Sequence, residues 1–366
     1  VNPASIKTAD DLAALPILVK QTVRDNVELL KPKSLEQIPH ITEHTSGSTG
    51  SSLIFPQSVD NVRDLWAAFW RFWNRIGIEY GTRYADFGSR TIVPPNQRKP
   101  PFWRECQPLF QIKFSAFHGN DENYMAYFKA INDYGLTWIH GYPSCIMPFA
   151  SFVAQNGLTF DKPIKAVTAS AENLYGYQRS IIEKAFGVQP HALYGLTEAV
   201  ACIGEDADHD YIVDEDYSAV EFIECGDYSR IVGSNLTNFA FPLLRYDTGD
   251  LAITTDRLKN GRRVIERIDG RTGELLSLPD GGKVGALSAL FTESATIKEA
   301  QIHQLEDYSV EISFVPLSDN YTEDIAEAEK RFRDRTKGML PVSFKRVDGI
   351  ERTKRGKLRY VVSDIK

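Results

Sequence analysis

The sequence predicts an α/β protein: a large N-terminal α/β domain over residues 1–270, with a small β-barrel-like sheet attached from about residue 210, and a small C-terminal α+β domain over 271–366. Three observations carry this. Between residues 58 and 187, helical and strand-like periodicities alternate with short connections, the pattern of a mainly parallel sheet covered by helices. From about Asp210 the texture changes to short β-like segments separated by Gly, Asp and Asn. The turn-rich stretch Asp269-Gly270-Arg271-Thr272-Gly273 then sets off a compact segment of strands and one charged helix.

Each element has its own reason. Ser58 can cap a helix whose Val62, Leu65, Trp66, Phe69, Phe72, Trp73 and Ile76 recur at the spacing of one buried face. A helix over 124–134 stops at Gly135, and a strand over 137–139 runs into the turn Gly141-Tyr142-Pro143-Ser144. Another helix follows, ended by Gly157, then a buried strand over 164–169 and a helix over 177–186 closed by Gly187. The β-rich part reads as strands over 219–223, 230–233, 251–254 and 264–268. The C-terminal segment reads as strands over 301–304 and 310–315, a helix over 323–337 and a strand over 343–347.

With 366 residues, 42% hydrophobic and 25% charged, the chain can bury a large core and is neither disordered, collagen-like nor a coiled coil. A net charge of −7 lends no support to a nucleic-acid or membrane-surface partner. The most apolar stretch, 136–153, is interrupted by His140, Pro143 and Pro148 and is no membrane span. Cys106, Cys145, Cys202 and Cys225 are scattered, without a CxxC pair, and no leader segment opens the sequence, which predicts a reduced, cytoplasmic setting. The chain starts at Val1, so the natural protein can extend upstream.

Five short motifs carry chemistry. Thr45-Ser46-Gly47-Ser48-Thr49-Gly50 offers backbone N–H groups and hydroxyls to phosphate oxygens, and lacks the Gly-Lys-Ser/Thr ending of a P-loop NTPase; alone it also reads as a flexible linker. Tyr194-Gly195-Leu196-Thr197-Glu198 joins a glycine turn to a hydroxyl and to a carboxylate able to help hold Mg²⁺ against phosphate, or is a plain strand-end turn. Arg245-Tyr246-Asp247-Thr248-Gly249-Asp250 presents a carboxylate suited to ribose hydroxyls, or is an ordinary hairpin. Ile268-Asp269-Gly270-Arg271 marks the boundary, and the cationic stretch from Arg352 to Arg359 contains Lys357.

In this order the motifs resemble those of the adenylate-forming superfamily, which comprises acyl-CoA synthetases, carrier-protein adenylation domains and luciferases. Within it the chain looks most like the phenylacetate–CoA ligase-like branch and its capsule-polysaccharide-biosynthesis relatives. Leu15-Pro16-Ile17-Leu18-Val19-Lys20, the turn at Tyr142 and Ala169-Ser170-Ala171-Glu172 add to the likeness. The resemblance implies a mobile C-terminal domain and ATP as nucleotide. Thr45, Ser46, Gly47, Ser48, Thr49 and Gly50 would grip its β- and γ-phosphates, while Ser170, Ala171 and Glu172 would border the adenine. Tyr194, with Gly195 and Leu196, would stack near the base, Thr197 and Glu198 would serve the α-phosphate and Mg²⁺, and Asp250, helped by Arg271, would bind the ribose. Lys357 would be the lysine of the adenylation step, and Tyr142 and His140 would adjoin an acyl pocket.

Three positions depart from the family pattern: Gly273 and Glu274 stand at the hinge, where an acidic residue is usual in the place of Gly273, and Asp247 replaces an Arg, Lys or neutral residue. Part of the usual N-terminal segment is also missing. Cys202, His209 and Cys225 are spaced too loosely for a structural zinc. The expected reaction is activation of a small carboxylic acid, aryl or short acyl, to an acyl-adenylate with pyrophosphate release. Transfer would follow, to the thiol of coenzyme A or else to a carrier protein or an amine. The resemblance also allows a homodimer, and a degenerate non-catalytic nucleotide binder is the competing class.

Overall fold

A computed structural model describes residues 2–45, 53–88, 91–271, 275–285, 287–291, 294, 296–352 and 358–365. The chain forms two units, each from two stretches: Val1–Tyr80 with Leu193–Gly270, and Gly81–Ala192 with Arg271–Lys366.

In the first unit, Ser58 Oγ accepts the Asn61 N–H at 3.3 Å and starts the helix Val59–Arg75, as the sequence predicts. Its aromatic stripe is core: Phe72 and Trp73 are buried, and Trp66, Phe69 and Trp70 lie against Trp73 with ring centroids 4.8 to 6.3 Å away. The helix sits so close to the strand Cys202–Glu205 that a Cβ on Gly204 would stand 2.5 Å from the Phe72 ring. The strands run in the order Ser218–Cys225, Tyr228–Asn235, Tyr246–Lys259, Arg262–Arg271, Tyr211–Val213, Cys202–Glu205, with the end of Pro190–Gly195 pairing on the last. All are longer than or equal to their predicted cores where the sequence reads a strand. The largest difference is at 269–271, expected as a turn: the strand Arg262–Arg271 runs through it.

Asp214, fully buried, ties this unit together. Arg75 (3.0 Å), Arg262 (2.5 Å) and Arg71 (3.3 Å) converge on its carboxylate from the helix and from the strand Arg262–Arg271.

The second unit begins with parallel strands in the order Ala166–Ser170, Trp138–Gly141, Tyr84–Phe87, Gln111–Phe114, with Trp103–Cys106 antiparallel at the edge. Alternation sends Ala85, Phe87, Ile112, Phe114, Ile139 and Val167 to the face covered by the helices Asp121–Asp133, Pro143–Gln155 and Gly176–Phe186. There Phe87 stacks on Phe114 (5.1 Å) and on Phe149 (5.3 Å). Tyr84, Asp86, Trp138 and His140 point to the opposite face by the same alternation. The turn expected at 141–144 is shorter than that: Gly141 ends the strand, and Pro143 is already the first helical residue, where its missing N–H costs nothing.

Residues 276–364 supply a four-stranded sheet, ordered Val342–Arg346, Val310–Pro316, Ile297–Gln304, Val361–Ser363, under the helix Thr322–Arg335. Its core is continuous with that of the parallel sheet's helices, with Tyr360 and Tyr175 ring centroids 4.3 Å apart. No helix among the described residues is long and apolar enough to cross a membrane.

Candidate active site

In the first unit, the strand Pro190–Gly195 delivers Tyr194 and Gly195, and the chain turns through Leu196 and Thr197 to Glu198. Ala199 then takes φ +59°, a conformation that non-glycine residues adopt at a cost of about 1 kcal/mol and that gathers at functional sites. Glu198 is buried, and its Oε1 accepts from the Tyr246 hydroxyl at 3.1 Å and the Lys20 ammonium at 3.2 Å. Four residues beyond Tyr246, on the same strand, buried Asp250 accepts the Tyr194 hydroxyl at 2.7 Å. Two side-chain bonds thus stitch 194–198 to 246–250. Burial first, and then the Asp250 carboxylate, push the Tyr194 phenol well above its ordinary 10, so it stays a donor.

The Asp250 turn is built locally. Gly249 has φ +74° and donates its N–H to Asp247 Oδ1, while Asp250 N donates to Thr248 Oγ1. Asp247 pairs with Arg230 at 3.0 Å.

Of the hydroxyl-rich loop, Thr45 is described and Ser46, Gly47, Ser48, Thr49 and Gly50 lie outside the described residues. Thr45 N donates to Leu53 O and Leu53 N to Thr45 Oγ1, both at 2.9 Å, so the two stems of the loop are clamped together. Leu53 packs in one buried cluster with Val200 and Tyr246, which brings those stems to the neighbourhood of Glu198.

Lys20 and Tyr246 are the residues that the sequence reading missed as site groups. The segment before Lys20 lies along the strand of Tyr246: Leu18 N donates to Arg245 O and Asp247 N to Leu18 O, each at 2.9 Å. Arg245 holds the same segment from its side chain, bonding the carbonyls of Ala13 and Leu15 and both oxygens of Glu221. The sequence signals were the run ending in Lys20 and the 245–250 motif that contains Tyr246.

In the second unit, Ser170, Ala171 and Glu172 follow the strand Ala166–Ser170, with Ala171 at φ +65°. Glu172 accepts from Ser144 N (3.0 Å) and Ser144 Oγ (2.9 Å), which sets its charge at the N-terminus of the helix Pro143–Gln155 and joins Tyr142–Ser144 to 170–172. Gly141, at φ +155°, permits the close passage here: a Cβ would stand 2.5 Å from Phe87 O. His140 Nδ1 meets Thr168 Oγ1 at 2.8 Å, and burial lowers its pKa, keeping the ring neutral. Arg271 is the last residue of its strand. Lys357 and the hinge residues Thr272, Gly273 and Glu274 lie outside the described residues. On either side of residues 353–357, Arg352 bridges to Leu358, and Arg352 pairs with Glu299 at 2.5 Å.

A Mg²⁺ ion bound mainly by phosphates and waters asks one or two carboxylates of the protein. Glu198 fits: its Oε1 takes two donors, and Oε2 accepts from none of the described residues. Cys202 and Cys225 stand in no candidate ligand group among the described residues, the Cys202 thiol lying 3.8 Å from Asp214; His209, 3.2 Å from Glu205, belongs with that carboxylate to a group that could hold a metal ion.

Residues 276–364 match the family described as CapK C-terminal domain. Over 374 aligned positions the chain is 28% identical to Protein CapK of Staphylococcus aureus, covering 98% of this chain and 82% of that protein. It is 34% identical to indoleacetate–lysine synthetase of Pseudomonas savastanoi over 130 positions, 35% of this chain and 32% of that one. Phenylacetate–coenzyme A ligase of Pseudomonas putida is 23% identical over 75% of this chain and 64% of its own length. Among solved structures, 2-hydroxyisobutyryl-CoA ligase in the postadenylation state superposes with a TM-score of 0.71 at 16% identity, covering all of this chain and 83% of the other. Anthranilate CoA ligase AuaEII in complex with anthranoyl-AMP gives 0.62 at 12% identity, covering 87% and 65%. The chain has the fold of the adenylate-forming ligases, carries a CapK C-terminal domain at 276–364, and is similar in sequence to CapK and to phenylacetate–coenzyme A ligase.

Proposed function

We propose that the protein activates a small carboxylic acid with ATP and passes the acyl group to the thiol of coenzyme A. The observation that carries this reading is the joining of 194–198 to 246–250, which fixes two buried carboxylates, Glu198 and Asp250, on one wall of a ligase fold. A carboxylate oxygen of the acid attacks the α-phosphorus of ATP, and the bond to the β-phosphate bridging oxygen breaks, releasing pyrophosphate. The thiol sulfur then attacks the acyl carbon, its proton is lost, and AMP leaves.

No protein nucleophile enters either step, so the residues have to orient and neutralise. Asp250, aimed by the Tyr194 hydroxyl, accepts hydrogen bonds from the ribose hydroxyls. Thr45 to Gly50 donate to the β- and γ-phosphates, and Thr197 to the α-phosphate. Ser170 to Glu172 border the adenine, and Arg271 assists at the ribose. Lys357 brings positive charge to the reacting phosphorus from a C-terminal domain that swings about residues 270–274. Glu198 would hold Mg²⁺, which when bound neutralises charge on the phosphate oxygens.

The similarity to indoleacetate–lysine synthetase over 130 positions favours a second acceptor, an amine. Carboxylate-dependent ATP–pyrophosphate exchange tests the first half-reaction, run with and without coenzyme A and with free amino acids. Acid-dependent exchange followed by thioester formation is expected. Amide formation in place of thioester selects the second acceptor, and ATP binding without exchange for any acid makes the protein a binder only.

A further inference from the structure

The parallel sheet of the second unit carries a polar row that none of the proposed ATP contacts uses. Its register sets Lys113 beside Asp86, Asp86 beside His140, and His140 beside Thr168, on four neighbouring strands. All four point away from the helix-covered face, since Ile112, Phe87, Ile139 and Val167 point toward it. A row of hydrogen-bonding side chains across the middle of a parallel sheet is unusual, because such strands ordinarily read as continuous apolar runs.

The row is bonded in two stretches, Lys113 with Asp86 and His140 with Thr168. Lys113 Nζ meets Asp86 Oδ2 at 3.1 Å, His140 Nδ1 meets Thr168 Oγ1 at 2.8 Å, and Trp138 Nε1 donates to the same hydroxyl at 2.9 Å. One end is sealed, with Thr168 and Trp138 buried; the other opens, the side chains of Asp86 and Lys113 being 13% and 23% exposed. The row stands one residue before the carboxyl ends of the strands Tyr84–Phe87, Gln111–Phe114 and Trp138–Gly141, the edge at which open α/β sheets take their ligands. Beyond it on the same face comes Ser170, two residues further along the strand of Thr168. Beneath it Tyr84 and Trp138 lie with ring centroids 4.0 Å apart, and the Tyr84 hydroxyl accepts from Gln111 Nε2.

The charges decide what such a row can read. The Lys113 ammonium and the Asp86 carboxylate cancel, and the imidazole between Asp86 and Thr168 is uncharged. A second carboxylate on the acid would meet Asp86 as well as Lys113, while a plain hydrocarbon would leave both without a new partner and lose their water. A neutral group that both donates and accepts suits all three.

Resting on the activation reading above, we propose that the acid taken by this protein bears a hydroxyl group, or a comparable neutral donor–acceptor, read by Lys113, Asp86 and His140. Because these groups already satisfy one another, the discrimination is that of added hydrogen bonds, about 10- to 100-fold, rather than that of an orphaned polar site.

The test is ATP–pyrophosphate exchange with matched acids: phenylacetate against mandelate and 4-hydroxyphenylacetate, benzoate against 3- and 4-hydroxybenzoate, butyrate against 3-hydroxybutyrate, and succinate as the dianion. A hydroxylated member is expected to exceed its parent at least 10-fold in kcat/KM. In the doubly neutral variant Lys113→Met/Asp86→Asn, which avoids an unpaired charge, that ratio is expected to fall toward 1 while the thermal midpoint is kept. Equal use of parent and hydroxy acids, a preference for succinate, or an unchanged ratio in the double variant overturns the proposal and leaves acid activation standing. Exchange with no acid at all overturns the activation reading and this proposal with it.

Discussion

Two candidate regions, one in each unit, are held by different means. In 194–198 and 246–250, side chains hold side chains: Tyr194 fixes Asp250, and Tyr246 with Lys20 fixes Glu198. In 140–144 and 168–172, backbone and register act together with side-chain bonds: Glu172 accepts from both the N–H and the hydroxyl of Ser144 at a helix N-terminus, and the strand pairing itself aligns Asp86, His140 and Thr168. The difference teaches where a substitution should be felt. Deleting a donor in the first region leaves a buried carboxylate short of a partner and should alter affinity or rate. Changing a side chain in the second region leaves the strands in place and should alter which acid is chosen.

The largest effect is expected from a residue in neither stitched pair. Lys357→Ala should lower exchange about 10²- to 10³-fold, the usual cost of losing a preorganised charge donor, with the thermal midpoint unchanged. Near-normal exchange would remove Lys357 from the proposal.

Asp214→Ala attacks the frame of the first region. It strands Arg71, Arg75 and Arg262 around an empty place, and urea unfolding should show a loss of about 3 kcal/mol at an unchanged m-value. An unaltered urea midpoint would mean that the three guanidinium groups are satisfied without the carboxylate.

Two single donors sharpen the first region further. Lys20→Met should lower kcat/KM about 10-fold, because Glu198 keeps the Tyr246 hydroxyl but loses its cation. Tyr194→Phe should raise the KM for ATP about 10-fold and leave kcat nearly alone, since Asp250 loses its aim and not its charge. A fall in kcat with an unchanged KM would place Asp250 in the chemistry rather than in nucleotide binding.

The smallest effect belongs to the second region. Burial holds His140 below its ordinary 6.5, opposed by Asp86 and helped by Lys113. The folded protein therefore binds fewer protons than the unfolded chain between those two values. The stability tied to His140 is complete above about pH 6.5 and declines as the pH falls below it. His140→Asn should flatten that part of the stability profile; an unchanged slope would locate the titration elsewhere.

Much of this was legible in the sequence. Ser58, the stripe from Val62 to Trp73 and the caps at Gly135 and Gly187 marked helices that the structure contains within a few residues. The turns carrying Glu198 and Asp250 were found from glycine, hydroxyl and carboxylate spacing. Lys20 was not, because it reaches Glu198 across 178 residues of chain. Lys113 and Asp86 were not singled out either, since neither lies in a motif and only parallel pairing puts them beside His140.

By itself the sequence determined several of the helices and their caps, and the glycine turns that carry Glu198 and Asp250, because caps, turns and apolar periodicity act over a few neighbouring residues. Tertiary structure decided which distant groups meet: Tyr194 with Asp250, Lys20 and Tyr246 with Glu198, and Lys113, Asp86, His140 and Thr168 in one line. Those meetings depend on strand register, where a shift of one residue would turn each side chain to the other face, and no local rule of composition reports that choice.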